Sequence, residues 1–157
     1  MPLLTFLLEA VLVSLSGVMA PGPITAVTIG KGSDSPHAGA LVAVGHAIVE
    51  FPLMIAIFYG LGRVFTLTSI RAAIALAGGA LLALMGVGMF RSVSTAHATP
   101  SDYAHSPMVA GVLLSAGSPY FLVWWATVGA ALTLRSTDFG TVGFLALAAL
   151  HWSCDFL

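Results

Sequence analysis

Leu15-Ser16-Gly17-Val18-Met19-Ala20-Pro21-Gly22-Pro23-Ile24-Thr25-Ala26-Val27 is the stretch on which the reading of this chain turns. It lies inside a mostly apolar run over residues 3–29. Crossing a bilayer takes about 20 such residues. Two prolines interrupt this run. Proline has no N–H and clashes with the preceding turn, so it ends or kinks a helix. It sits well at the first position of a new one. The span is therefore expected to break at 20–23, with Pro23 opening a half-helix. The break recurs late, as Gly117-Ser118-Pro119 within the apolar residues 108–134. There Ser118 is placed to cap a half-helix that starts at Pro119.

A second pattern also occurs twice. His46 and Glu50 follow the first break on the next apolar segment, and His151 and Asp155 follow the second. A spacing of four puts both side chains on one helix face. An ionised acid at mid-membrane costs about 2.5–3.5 kcal/mol on insertion scales, so Glu50 must meet a partner or water. A buried carboxyl beside an imidazole can load and release a proton near neutral pH. The pairs therefore read as a proton relay or as a site for an ammonium group. The alternative is a neutral polar cluster that glues helices together.

Composition sets the solvent. Of 157 residues, 59% are hydrophobic and 7% charged, against about 25% charged in soluble domains. Such a surface belongs in a lipid bilayer. A net charge of -1 gives no footprint for nucleic acid. The single cysteine, Cys154, excludes an internal disulfide, a redox pair and a thiolate metal cage. No cofactor is expected. Residues 3–20 lack a positive leader and run into Pro21-Gly22-Pro23, which argues against a cleavable signal peptide.

The fold class expected is all-α, a polytopic transmembrane bundle. Spans are expected at 3–29, 38–62, 72–90, 108–134 and from 139 onward. Residues 91–107 are polar and read as a linker. The organisation is then a three-span repeat over 1–90, the linker 91–107 and a second repeat over 108–157. Three spans is an odd number, so the second repeat enters the membrane from the opposite side, as in secondary transporters with inverted repeats. Asp155 has only Phe156 and Leu157 after it. The second repeat is thus expected to be cut short, with about five spans present. Small and polar faces left open would be covered by a partner, a second copy being one candidate. Lys31 and Arg91 fall on one side and Arg63, Arg71 and Arg135 on the other. That balance is too even to orient the chain.

Other residues carry weaker signals. Glu9 is a lone acid in span one, either an interfacial charge or a pathway residue. Ala75, Gly79 and Ala83, with Gly78, Gly86 and Gly88, form a close-packing face on span three. Trp124 and Trp125, after Tyr120 and Phe121, are expected at the membrane interface, with the solute path as the alternative. His97 and His105 read as solvated linker residues.

Together these residues resemble the lysine exporter (LysE/RhtB-type) family. The likeness rests on Ala20-Pro21-Gly22-Pro23, on Gly39 and Gly45 leading to Glu50, and on Gly60-Leu61-Gly62. It continues in Gly78-Gly79-Ala80-Leu81-Leu82 with Gly86, and in Ser118-Pro119-Tyr120-Phe121. It departs where the family often has Asn-Pro and a basic residue in span four, and an Asp in span two. The resemblance implies six spans and export of amino acids or related small zwitterions across the inner membrane in exchange for protons or other ions. Pro21, Gly22, Pro23, Ser118 and Pro119 would shape the site through backbone. Glu50 and Asp155 would carry charge, and His46 and His151 would tune or relay protons. Two rival readings stand beside it. One is a divalent-metal transporter of the same architecture. The other is an intramembrane enzyme using Ser115 or Ser118, although neither serine sits in a nucleophile elbow.

Overall fold

A computed structural model describes residues 2–20, 22–33, 35–64 and 106–156, with scattered positions between 67 and 87. Pro21, Arg71, Arg91, His97, His105, most of the third span and nearly all of the linker lie outside the described residues. Gly79 and Ala83 are described and exposed, and nothing approaches the place of a Cβ on Gly79.

All the regular structure described is helical. Span one is two helices, α1 (Leu3–Val18) and α2 (Pro23–Gly32), bent by more than 40° at the break. Pro23 is the first residue of α2, where its missing N–H costs nothing. α3 (Ala38–Ala56) follows and runs on through a π turn, Ile57–Leu61, into the short α4 (Gly62–Val64). Among the described residues, Ala38–Gly60 is the one unbroken helix long and apolar enough to cross a membrane. It ends where Gly60 takes a φ of 142°, which a side chain would resist.

Span four is also broken. Ser106 caps α5 (Pro107–Ala116), and Ser118 caps α6 (Pro119–Trp124) by accepting from Phe121 N at 3.2 Å. A π turn, Trp125–Gly129, leads into α7 (Ala130–Ser136). The 3-10 turn Thr137–Phe139 and Gly140, at φ 63°, then lead into α8 (Gly140–Asp155). The chain reverses there. Trp125 and His151 lie on opposite sides of the turn, yet their rings are 5.3 Å apart. A straight helix would separate them by about 39 Å.

Contacts fix the directions of the spans. Glu9 meets Arg135, and Gly17 meets Tyr120 and Trp124. As one chain advances the other retreats, so spans one and four are antiparallel. Phe6 stacks on Phe139 at 5.4 Å and Ser14 meets His151, so α1 and α8 run parallel. The packing is exchanged between halves. Among the described elements, α3 lies chiefly on α5, and α1 chiefly on α8. α3 and α5 touch backbone to backbone. A Cβ on Gly45 would strike the Met108 carbonyl, and one on Gly111 the Val42 carbonyl. Elsewhere Phe6, Met54, Ile57, Trp125, Phe144 and Leu147 form the apolar core.

Candidate functional site

The exchanged packing draws both His/acid pairs to one place. Glu50 is 1% exposed, and its Oε1 lies 3.2 Å from His46 Nε2 and 3.1 Å from His151 Nε2. Each histidine holds a serine through its other nitrogen. His46 Nδ1 is 2.7 Å from Ser115 Oγ, and His151 Nδ1 is 2.6 Å from Ser14 Oγ. In both cases the serine comes from the other half's broken span. Each ring also has an aromatic neighbour. Phe121 meets His46 edge-on at 5.2 Å, and Trp124 stacks on His151 at 5.3 Å.

These groups line a cavity of about 620 Å³, well within the usual range of small-molecule sites, roughly 300–1,000 Å³. Gly22, Pro23, His46, Glu50, Ser118, His151 and Asp155 all face it. Pro119 does not, and Pro21 is not described. Among the described lining residues the charged types are the two carboxyls alone. Ligand atoms of His46, Glu50 and Asp155 lie within 4.8 Å of one another. Glu50 Oε2 and Asp155 Oδ2 are buried with no hydrogen-bond partner among the described residues. An unpaired buried carboxyl oxygen is costly.

The two half-helices differ. Ser118 occupies one first-turn amide of α6. α2 has no side-chain cap among the described residues, and its first residues, Pro23 to Thr25, line the cavity at the positive end of the helix dipole. The Ser118 cap stands where the sequence placed it.

Several residues fall elsewhere than expected. Tyr120, Trp124 and Trp125 line the cavity, so the interfacial reading of the tryptophans is corrected. Their ring faces are taken by His151 and by each other. Glu9 is not a lone acid. Arg135 Nη1 and Nη2 donate to its Oε1 and Oε2 at 2.6 and 2.9 Å, which ties span one to span four. Ser14, and the part Ser115 plays, went unread. The available signal was a serine shortly before each proline break. Of the two serines that the hydrolase reading named, Ser118 serves as a cap, while Ser115 donates to the Gly111 carbonyl at 2.6 Å and stands 2.7 Å from His46 Nδ1.

The profile of the LysE type translocator family matches residues 15–157. This chain belongs to that family. It is a membrane transporter of the LysE type. The match runs from just ahead of the first proline break to the last residue and so takes in both breaks and both His/acid pairs of the translocator. No curated protein and no solved structure gave a significant match to it.

Proposed function

We propose that this translocator exports amino acids or related small zwitterions across the cell's inner membrane, coupled to an ion, with the proton foremost. The observation that carries the reading is one cavity with two unlike ends. Glu50 Oε2 and Asp155 Oδ2 are unpaired and suited to an ammonium group. The uncapped start of α2, at Gly22 and Pro23, suits a carboxylate. His46 and His151 on Glu50 Oε1 support a proton route.

The domain reading remains an inverted repeat of 1–90 and 108–157 joined by 91–107. Antiparallel spans one and four support it, as does the reciprocal placing of the two serines. In such a repeat the two halves rock around a fixed central site.

The test is transport into proteoliposomes carrying the purified chain. The panel holds amino acids, the matching amines and matching acids, with and without an imposed proton gradient. Gradient-driven movement of the amino acids is expected, with weaker movement of compounds that lack either end. Selective movement of divalent cations would instead support the metal-transporter reading. If nothing in the panel moves while the protein remains folded, the exporter reading fails.

A further inference from the structure

The two histidines look equivalent in outline, but their serines are not. Ser115 Oγ lies 2.6 Å from the Gly111 carbonyl and 2.7 Å from His46 Nδ1. A carbonyl only accepts, and a serine has one proton. That proton goes to Gly111, so Ser115 must accept from His46 Nδ1–H. Ser14 has no second partner among the described hydrogen bonds. Its proton is available to His151 Nδ1, which leaves His151 Nε2–H to donate to Glu50 Oε1 at 3.1 Å.

We infer that Ser115 and Ser14 are positioning residues that put the two histidines in different proton states, with the site's exchangeable proton between His46 Nε2 and Glu50 Oε1. His46 already carries Nδ1–H. Its Nε2 faces Glu50 Oε1 at 3.2 Å, and that contact needs a proton on one atom or the other. The pair is then imidazolium with carboxylate, or neutral imidazole with carboxylic acid. Both hold one proton more than neutral histidine plus ionised Glu50. The Ser14 hydroxyl at His151 Nδ1 places this proton on the His46 side of Glu50. The titratable groups around this proton are His46 and Glu50 from α3, His151 and Asp155 from α8, and Tyr120 from α6. α1 and α5 bring Ser14 and Ser115 to the histidines, and neither titrates in this range.

The placement deepens the proton-coupled reading and, as to coupling, rests on it. An ammonium group at Glu50 Oε2 and the proton at Oε1 compete for one negative charge. Binding of the one favours release of the other, so exchange is one for one at this carboxyl.

The experiment is nitrogen NMR of histidine-labelled protein in lipid nanodiscs near neutral pH. Ring signals are assigned with His46→Gln and His151→Gln. The expected result is a protonated Nδ1 on His46 and a bare Nδ1 on His151. Ser115→Ala should remove the protonated Nδ1 signal of His46, Ser115→Thr should restore it, and Ser14→Ala should leave it in place. A bare Nδ1 on His46 in the unmutated protein overturns the placement whatever transport shows. So does a His46 pattern that ignores Ser115→Ala. The expected pattern together with solute movement indifferent to a proton gradient upholds the placement and sinks the coupling instead.

Discussion

His46 and His151 come from opposite halves of the chain, yet both direct Nε2 at one atom, Glu50 Oε1. That shared oxygen makes Glu50 the joint between the halves. Asp155 is its formal counterpart but does not share the role. The two pairs that look alike in sequence therefore do unlike work, with Glu50 holding the histidines and Asp155 standing beside the open oxygen.

Glu50→Gln should be the most damaging conservative change in the cavity. It keeps the size and removes the charge from two histidine contacts. Hydrogen bonds to a charged group are each worth about 1.5–3 kcal/mol. Transport is expected to fall at least about tenfold at equal membrane abundance, each 1.4 kcal/mol being a factor of ten. Wild-type rates and proton dependence in the mutant would remove Glu50 from the mechanism.

The crossing of α3 and α5 makes a sharp stability prediction. Gly45→Ala and Gly111→Ala each force a methyl group into a backbone carbonyl on the other helix. Neither helix can give locally, so overpacking of about 1–3 kcal/mol is expected. Gly79→Ala meets nothing among the described residues and should be silent. Thermal unfolding in detergent checks all three. Equal melting temperatures would mean that the helices do not cross at these glycines.

Glu9 and Arg135 should behave as a pair. Both are partly exposed, so the coupling is a matter of orientation more than of burial. Arg135 also lies 5.5 Å over the Phe6 ring. Glu9→Gln and Arg135→Gln should each lower thermal stability. The double swap Glu9→Arg with Arg135→Glu should recover part of the loss. A swap no better than the sum of its single changes would refute the contact.

Topology gives a labelling prediction. Antiparallel spans one and four put Ser35 and Ser106 on one side of the membrane and Thr137 and Asp138 on the other. Single cysteines at these sites, with Cys154→Ala as background, should react with an impermeant thiol reagent from the matching side only. Labelling of the Ser35 and Ser106 positions from opposite sides would break the antiparallel arrangement.

Much of this was legible in the residues. The breaks at Pro23 and Ser118-Pro119, the helical spans and the two His/acid pairs follow from rules that act within one or two helical turns. Proline removes an N–H, serine caps, and a spacing of four shares a face. The bilayer sharpens such signals, because in lipid every polar or helix-breaking residue needs a reason. What the chain could not show by itself was which elements meet. Ser14 with His151, Ser115 with His46, Glu9 with Arg135 and Trp124 on His151 all join residues far apart in sequence. These contacts depend on how helices cross, and that depends on which faces are smooth enough to touch. Gly45 and Gly111 let α3 and α5 close, Gly17 leaves room for Trp124, and Gly140 turns α8 back toward the cavity. The sequence determined that two histidines and two acids would lie in the membrane. Only the packing decided that both histidines would serve one carboxyl, because a glycine marks where a helix can be approached but not what approaches it.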